Sequence, residues 1–429
     1  MATGVGLEKQ KEFPPVDEQL TYLKKGVVDL LTEGELRERL EASRRSGRPL
    51  RVKVGFDPSA PDIHLGHTVL LRKMKHFQDL GHEVVFLIGD FTGLIGDPTG
   101  RSRTRPQLTR QEVLANAETY KEQAFRILSA AETTIRFNSE WLGQLGAEGF
   151  IRLAAKYNVA RMLERRDFRQ RYEAGEPIRI HEFLYPLAQA YDSVELRVDV
   201  ELGGTDQLFN LNVGRDIMPD YELAPQVVMT TPLLEGIDGS EKMSKSMGNT
   251  IGISESPGEI FGKVMSISDD LMWRYYLLCT DSSQAAIGRM QKEVGKGTLH
   301  PRDAKIRLAR ELVAGFHGEA HARAAEEEFQ RIFSRGEVPQ GVPEICLVEG
   351  PVLQPGEGGR GWVIHLPVLL AAEGLAASRS AARRLLAQGA VYLEGGRVQE
   401  EDLEMEDGRL RQGALLKVGK RRYLRIRKA

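Results

Sequence analysis

The chain has 429 residues, with 59 Lys and Arg against 61 Asp and Glu, and its formal net charge is −2. This length exceeds what one hydrophobic core usually serves, so two or three domains are expected. A hydrophobic content of 41% with 28% charged residues argues against a disordered chain. No apolar run resembles a signal peptide or a membrane span, and Cys279 and Cys346 lie far apart, so we expect a cytoplasmic protein outside the membrane.

The first 250 residues alternate strand-like and helical segments. Residues 50–57 have the apolar character of a buried strand, and apolar residues recur at helical spacing directly after it. Thr109 and Glu112 match a capping box, which predicts that a helix starts there. Further strands are expected at 83–90, 135–137, 197–202 and 227–234, and further helices near 147–172 and 181–193. This alternation predicts a Rossmann-like, doubly wound parallel sheet of the α/β class over 1–250.

The remaining residues divide into three segments of different character. Residues 251–335 are helical throughout, which predicts a separate helical domain. Residues 336–360 are rich in Gly and Pro and are typical of a linker. Residues 361–429 combine two helical stretches with short strands, which predicts a small α+β domain.

The segment PDIHLGHT places His64, Gly66 and His67 where the first strand gives way to a helix. Free backbone N–H groups and the positive end of the helix dipole make such a junction suitable for phosphate. Glycine allows a nucleotide ring to approach, and imidazoles can donate hydrogen bonds to phosphate oxygens. Alone, the motif would more often be a pair of surface histidines.

A second motif, GSEKMSKSMGNT, places Lys242 and Lys245 on a Gly-flanked loop together with Ser244 and Ser246. Two ammonium groups on a mobile loop can close over a triphosphate and stabilise charge that moves onto pyrophosphate. A lone loop of this kind is usually only solvated. Both motifs follow predicted strands in the expected order, and together they favour nucleotide chemistry.

HLGH and KMSKS together resemble the two signatures of the class I aminoacyl-tRNA synthetases. DFTGLIGDPTGRSRTR, YPLAQAYD and GGTDQ resemble the tyrosyl branch of that class, and the likeness runs from about residue 20 to the end. The resemblance implies activation of L-tyrosine by ATP and transfer to tRNA(Tyr), with 251–335 binding the anticodon. It also implies a homodimer, and Mg²⁺ that arrives with ATP and is not tightly bound by the protein.

The resemblance also implies roles for individual residues. Asp97, Tyr185 and Gln189 would hold the tyrosine ammonium, Asp192 would accept the phenolic proton, and Gln207 would position the carboxylate. The implied catalytic residues are His64, His67, Lys242 and Lys245. The implied ATP-binding set is Gly55, Asp57, His64, Gly66, His67, Asp206, Lys242, Lys245 and Ser246. Arg101 and Arg105 would lie in a loop that approaches pyrophosphate or the tRNA end.

Helical spacing agrees with one of these groups. Tyr185, Gln189 and Asp192 lie at i, i+4 and i+7, so they share one helical face and can line one pocket. The alternative is that Asp192 only caps the end of the helix. One position departs from the family pattern: Lys53 stands where many members carry a second tyrosine that contacts the phenol, so that contact is missing or supplied elsewhere.

The C-terminal segment resembles a small RNA-binding domain shared with a ribosomal small-subunit protein. Arg379, Arg383 and Arg384 fall on one predicted helix and can meet one stretch of phosphates. The last thirteen residues carry seven basic groups and no acidic one. The predicted tRNA-binding residues are Arg379, Arg383, Arg384, Lys420, Arg421 and Arg422. A solvated basic terminus is the alternative.

Three other functions remain open at this point. A tryptophanyl-tRNA synthetase would share the pocket architecture, but Gln189, the GGTDQ string and the C-terminal segment favour tyrosine. An H-x-G-H nucleotidyltransferase that makes a cofactor would not need residues 361–429. A noncatalytic RNA-binding paralogue would not need the intact histidines and lysines of the two signatures.

Overall fold

The computed structural model describes residues 12–58, 62–99, 109–334, 342–356, 361–419 and 422–429. Contacts within the chain divide it into two units, Met1–Glu326 and Glu327–Ala429. No helix in these described ranges is long and apolar enough to cross a membrane.

A six-stranded sheet forms the centre of the first unit. Its strands are β1 (Leu30–Leu31), β2 (Arg51–Phe56), β3 (Glu83–Ile88), β4 (Thr133–Phe137), β5 (Val200–Gly204) and β6 (Val227–Thr231). Their order is β1-β6-β5-β2-β3-β4, and all neighbours run parallel except the β1–β6 pair. The predicted doubly wound parallel sheet is confirmed. In chain order, β3 and β4 are added on one side of β2, whereas β5 and β6 are added on its other side. The carboxyl ends of β2 and β5 therefore form the crevice where α/β sheets bind ligands.

The helices up to residue 334 surround this sheet or follow it. They are α1 (Val16–Leu23), α2 (Glu33–Ser46), α3 (Leu65–Asp79), α4 (Thr92–Ile95), α5 (Arg110–Ala124), α6 (Ser139–Leu142), α7 (Gly146–Ala154), α8 (Val159–Met162), α9 (Arg166–Glu173), α10 (Ile180–Leu196), α11 (Leu208–Ile217), α12 (Pro257–Ser266), α13 (Asp269–Cys279), α14 (Gln284–Gly295), α15 (Pro301–His317) and α16 (Glu319–Ser334). The predicted capping box at α5 is confirmed: Thr109 Oγ1 accepts from the Glu112 backbone N–H at 3.3 Å, and Glu112 Oε2 accepts from the Thr109 N–H at 2.8 Å.

In the described part of the predicted helical segment, 251–334, the regular elements are helices, as the pattern predicts. Within this segment α12 packs against α15, and α13 packs against α14, α15 and α3. Because α3 directly follows β2 in the centre of the sheet, α12–α15 belong to the same unit as the sheet. The change at residue 250 therefore separates two kinds of secondary structure inside one unit.

The second unit begins inside α16, and its described residues beyond α16 form a mixed sheet, an antiparallel sheet and further helices. Its elements are β7 (Glu344–Leu347), β8 (Leu353–Pro355), β9 (Trp362–His365), α17 (Leu366–Ala372), α18 (Arg379–Ala387), β10 (Val391–Leu393), β11 (Gly396–Val398), β12 (Asp402–Met405), α19 (Asp407–Gln412), β13 (Ala414–Val418) and β14 (Arg422–Lys428). The strand orders are β11-β10-β13-β14-β7 and β12-β9-β8. The predicted α+β character is confirmed.

The segment 336–360 is more structured than a linker. In its described part, 342–356, β7 pairs in parallel with β14 and β8 pairs with β9. Leu347 and Leu353 are buried in the core of the second unit. The Gly and Pro residues around these short strands concealed them, because a three- or four-residue strand has too few positions to show alternation.

Candidate active site

A cleft opens at the carboxyl ends of the central strands. It has an outer lobe of about 620 Å³ and an adjoining inner lobe of about 240 Å³. The chemistry-bearing residues that line both lobes are Asp57, His67, Asp97, Asp206, Gln207 and Lys242. The cleft lies where the reversal of strand order predicts a ligand site.

His64 and His67 lie at the start of α3 with their ring centroids 3.9 Å apart. The backbone N–H of His64 donates to Nδ1 of His67 at 3.2 Å. Because Nδ1 accepts, the proton of a neutral His67 ring is on Nε2. His64 Nδ1 is buried and has no hydrogen-bond partner among the described residues. The pair therefore presents imidazole groups that can still bond a ligand.

Burial lowers the pKa of both histidines. The pKa of His64 falls to about 4, chiefly through desolvation, with Lys245 and Lys242 adding repulsion. The pKa of His67 falls to about 3 through desolvation and then through repulsion from His64 and the same lysines. Both rings are neutral at physiological pH, so they can act as hydrogen-bond donors without carrying charge.

Two glycines keep the cleft open. A Cβ at Gly66 would lie 3.0 Å from Cε1 and Nδ1 of His64, so a side chain there would displace the imidazole. A Cβ at Gly55 would meet no protein atom within 4 Å, and Gly55 lines the inner lobe. Packing therefore does not explain the glycine at 55, whereas close approach of a ligand would.

The second motif forms an ordered loop beside the outer lobe. Met243 is buried, and its N–H donates to the carbonyl of Leu234 at 2.8 Å. Asn249 Oδ1 accepts from the N–H of Ser244 at 2.8 Å, and its Nδ2 donates to Asp238 Oδ2 at 2.5 Å. These contacts hold the side chain of Met243 in the interior, and Lys242 and Lys245 line the outer lobe.

Each motif lysine is paired with a carboxylate of the cleft. Lys242 Nζ lies 3.1 Å from Asp206 Oδ2, and Lys245 Nζ lies 2.9 Å from Asp62 Oδ2. All four side chains are partly or largely exposed, so these ion pairs contribute little stability and can exchange partners. Ser246 also lines the outer lobe.

Asp57 lies between the two lobes and is held by side chains from two helices. Tyr185 Oη donates to Asp57 Oδ2 at 2.8 Å, and Thr92 Oγ1 donates to Asp57 Oδ1 at 2.8 Å. A Cβ at position 89 would lie 2.1 Å from Asp57 Oδ1, so Gly89 is required for this arrangement. Burial and the nearby carboxylates of Asp57 and Asp97 raise the pKa of Tyr185, which remains a neutral phenol.

Asp97 and Gln207 meet at the junction of the lobes. Asp97 Oδ2 accepts from Gln207 Nε2 at 2.8 Å, and its Oδ1 accepts from Thr99. Asn210 Nδ2 donates to Gln207 Oε1 at 2.9 Å and fixes the amide. A carboxylate and an oriented amide thus face the same space, as an amino-acid substrate requires.

Asp192 lies in the inner lobe and is 2% exposed. Its Oδ1 accepts from Trp141 Nε1 at 2.8 Å, and its Oδ2 accepts from Asn138 Nδ2 at 3.2 Å. Burial raises its pKa to about 7, and Lys53 and the two donors oppose that rise. Since α10 continues to Leu196, Asp192 lies inside the helix, and the interpretation as a helix cap is wrong.

Tyr185 and Gln189 line the same lobe as Asp192, which places the three residues on one face of α10. Gln189 Nε2 donates to Glu201 Oε1 at 3.1 Å. No role was predicted for Trp141 or Asn138. Their signal is the NSEW segment directly after β4, at the same edge of the sheet as the other site residues.

The predicted tRNA-binding residues that the structure describes are exposed. Arg379, Arg383 and Arg384 lie on α18, where Arg383 pairs with Glu401 at 2.9 Å. Arg422 begins β14 and donates to the carbonyl of Leu375 at 2.7 Å. Four further predicted residues lie outside the described ranges: Arg101, Arg105, Lys420 and Arg421.

Among the residues described, no group of three or more His, Cys, Asp or Glu could hold a metal ion.

Comparison with known proteins agrees with this fold. Residues 45–334 match the family model described as tRNA synthetases class I (W and Y). Residues 362–426 match the tyrosine–tRNA ligase SYY-like C-terminal domain. A crystal structure of a tyrosyl-tRNA synthetase complexed with L-tyrosine, from Archaeoglobus fulgidus, has the same fold, with a TM-score of 0.58 at 23% identity over 73% of this chain and 100% of that one.

The chain belongs to the class I aminoacyl-tRNA synthetases. Two similar relatives, each named tyrosine–tRNA ligase, come from Geobacter sulfurreducens, at 54% identity over 96% of this chain and 99% of that protein, and from Nitratidesulfovibrio vulgaris, at 51% over 96% and 98%. Within the class, the chain is therefore a member of the tyrosine–tRNA ligase family. The tryptophanyl alternative receives no support from these relatives.

Proposed function

We propose that this chain activates L-tyrosine with ATP to give tyrosyl-adenylate and pyrophosphate, and then transfers the tyrosyl group to the 3′ end of tRNA(Tyr). The observation that carries the proposal is one continuous cleft. Its inner lobe contains a buried carboxylate, Asp192, and its outer lobe contains the histidines and lysines of the two signatures.

The inner lobe suits the side chain of tyrosine. Trp141 and Asn138 each donate a hydrogen bond to one oxygen of Asp192. Each carboxylate oxygen has a further lone pair, which can accept the phenolic proton. Phenylalanine would leave that acceptor without its ligand partner, which is costly because the carboxylate is buried. Asp192 would therefore select the hydroxyl group.

The junction of the lobes suits the amino-acid end of the substrate. Asp97, Tyr185 and the Oε1 of Gln189 would accept hydrogen bonds from the ammonium, and Asp57 would add negative charge nearby. Gln207 would orient the carboxylate once its contact with Asp97 opens. These groups come from separate segments that the sheet edge brings together.

The outer lobe suits ATP. Gly66 leaves room for the nucleotide in this lobe, and Gly55 leaves room in the adjoining inner lobe. Asp206 would bind the ribose hydroxyls, and the start of α3 supplies backbone N–H groups for phosphate. Mg²⁺ bound to ATP would bring additional positive charge. It prefers oxygen ligands, and the carboxylates of Asp57, Asp62 and Asp206 line this lobe.

The activation step needs no protein nucleophile. The tyrosine carboxylate attacks the α-phosphorus, the bond to the bridging oxygen breaks, and pyrophosphate leaves with its charge. Neutral His64 and His67 donate hydrogen bonds to the phosphate oxygens. Lys242 and Lys245 leave Asp206 and Asp62 for the departing pyrophosphate, because the new partner carries more charge than an exposed carboxylate.

The second unit would bind tRNA during the transfer step. Arg379, Arg383 and Arg384 are exposed on α18, and phosphate contacts of this kind position RNA and make affinity fall with salt. Lys420, Arg421 and Arg422 would add further phosphate contacts, and helices α12–α16 would approach the anticodon. Because the protein would act on tRNA, we propose that it is located in the cytoplasm.

We further propose that the protein acts as a homodimer. Four large apolar side chains on successive helices are largely exposed: Ile151 on α7 at 69%, Val159 on α8 at 60%, Tyr172 on α9 at 68% and Ile180 on α10 at 78%. We propose that these four side chains form one contiguous apolar surface, which is typical of an interaction site. Tyr172→Lys with Ile180→Lys should shift sedimentation from dimer to monomer, and an unchanged mass would contradict the proposed interface.

Single-turnover mixing of enzyme, ATP and tyrosine tests the main proposal. Adenylate should form without tRNA, and tyrosyl-tRNA should appear when tRNA(Tyr) is added. Tyrosyl-tRNA without a preceding adenylate, or adenylate with no transfer, would contradict it.

A further inference from the structure

An ion pair lies in the centre of the parallel sheet, next to the amino-acid lobe. Lys53 on β2 and Glu201 on β5 are Cα partners in neighbouring strands, with Nζ and Oε1 2.9 Å apart. The two side chains are 0% and 1% exposed, and neither is among the described residues that line the cleft. Burying two charges costs several kcal/mol per ion before their attraction offsets it, so such a pair is weak evidence for a role in stability.

All three donors of the Lys53 ammonium are used inside the protein. Nζ donates to Ser193 Oγ at 2.8 Å and to the carbonyl of Gln189 at 3.2 Å, and it pairs with Glu201. An ammonium has three donors and no acceptor. Lys53 therefore makes no direct substitute for a second phenol contact, and its effect on the pocket must pass through other residues.

Glu201 fixes the amide of Gln189. Its Oε1 accepts from Gln189 Nε2 at 3.1 Å, and its Oε2 accepts from Ser193 Oγ at 3.1 Å and from Gln226 Nε2. An ionised carboxylate only accepts, so it selects the orientation in which Gln189 turns its NH₂ toward Glu201. The carbonyl oxygen of Gln189 is then the atom that remains to accept from a substrate ammonium.

Lys53 also acts electrostatically on Asp192. The charged and titratable groups that act on Asp192 are Lys53 from β2, Glu201 from β5 and Tyr185 from α10 itself. Lys53 lowers the pKa of Asp192 more than Glu201 raises it. Without the pair, burial would hold a larger fraction of Asp192 in its protonated form at neutral pH.

We propose that the buried Lys53–Glu201 pair is a positioning element of the amino-acid pocket. Glu201 sets the Gln189 amide for the substrate ammonium, and Lys53 keeps Asp192 available as an acceptor for the phenol. The inference rests on the proposed activation of tyrosine and extends it to two residues that do not touch the substrate.

Two variants of the full-length chain test the pair. Lys53→Met with Glu201→Gln removes both charges together, so that no buried charge is left unpaired. Glu201→Gln alone removes the negative partner and retains Lys53. The control is Glu83→Gln, because Arg51 and Glu83 are also Cα partners on neighbouring parallel strands but are 34% and 32% exposed. Tyrosine-dependent ATP–pyrophosphate exchange is measured from pH 6 to pH 9, with circular dichroism of each variant.

The two variants should shift the pH dependence of the tyrosine KM in opposite directions. In the double variant, the midpoint of this pH dependence should move upward by about one pH unit. At a pH below the midpoint, the ionised fraction of Asp192 would then be about tenfold lower than in the wild-type protein. Glu201→Gln should move the midpoint downward. At high pH, where Asp192 is already ionised, the tyrosine KM should still rise in this variant, because the Gln189 amide has lost its ionised partner. The KM for ATP should stay unchanged in both.

Other outcomes have distinct meanings. Equal changes in the KM for tyrosine and for ATP, or shifts of the same sign in both variants, would reduce the pair to a structural role and overturn the inference. A folded double variant with wild-type tyrosine KM would overturn it as well. Absence of tyrosine-dependent exchange in the wild-type protein would instead contradict the proposed function.

Discussion

The indole Nε1 of Trp141 donates a hydrogen bond of 2.8 Å to Oδ1 of Asp192, and both residues are buried. The two residues come from α6 and α10, which meet at the carboxyl edge of the sheet. The bond favours the ionised carboxylate, because Nε1 can only donate.

Trp141→Phe should raise the tyrosine KM several-fold to about tenfold, as loss of a hydrogen bond to a charged group predicts. Kinetics with tyrosine and with ATP check this, and a selective rise in the ATP KM would contradict it.

Removal of the carboxylate itself should act on one substrate only. Asp192→Ala should raise the tyrosine KM by at least about tenfold, since a charged hydrogen bond contributes about 1.5–3 kcal/mol. The ATP KM should change little. Asp90→Asn is a matched control, because Asp90 is also a buried carboxylate but bonds only Ser139 at the start of α6. Equal losses for both substrates in Asp192→Ala would mean that the residue is structural.

Tyrosine binding should depend on pH near neutrality. The folded-state pKa of Asp192 is raised to about 7, so its carboxyl group gains a proton as the pH falls through 7 and loses acceptor capacity. The tyrosine KM should therefore rise between pH 8 and pH 6. The kcat should not follow, because the histidine pKa values of about 4 and 3 lie below this range. A flat tyrosine KM, or a kcat that titrates near 6.5, would show that the assignment is wrong.

The two loop lysines should affect the rate and leave tyrosine binding unchanged. Lys242→Ala and Lys245→Ala should each cost about 2–4 kcal/mol in the activation barrier, as loss of a single donor at a developing anion does. Lys121→Ala is the control, because Lys121 lies on α5 and pairs only weakly with Glu118 at 3.5 Å. Pre-steady-state adenylate formation measures the effect. An unchanged rate with weaker tyrosine binding would refute the role of the loop.

The second unit should matter for tRNA and leave activation intact. Replacing Arg379, Arg383 and Arg384 with Ala in the full chain should preserve pyrophosphate exchange, weaken tRNA binding and reduce its dependence on salt. Arg44→Ala with Arg45→Ala, on the exposed face of α2, is the control. A truncation should end at Ser334, since a chain ending near Gly350 would retain β7 without its partner β14. Undiminished charging by the folded variants would mean that these arginines are only solvated.

The sequence predicted those parts of the site that depend on local periodicity. Tyr185, Gln189 and Asp192 could be placed on one face because an α-helix repeats every 3.6 residues. The Lys53–Glu201 pair could not be predicted, because it depends on which strands are neighbours in the sheet and in what register. Trp141 was missed for the same reason: it reaches Asp192 across 51 residues of sequence. The strands β7 and β8 were missed because they are short and lie among Gly and Pro residues.

The central claim is that Asp192 and the groups around it select tyrosine for activation by ATP. ATP–pyrophosphate exchange, measured with each of the twenty amino acids in turn at pH 8, tests it most directly. Tyrosine should support strong exchange, and phenylalanine and tryptophan should be far weaker. Phenylalanine has no donor for the buried carboxylate, and tryptophan carries its single N–H on a larger, two-ring side chain, away from the position of the phenolic hydroxyl. Exchange with tryptophan equal to or above that with tyrosine, or with no amino acid at all, would contradict the account.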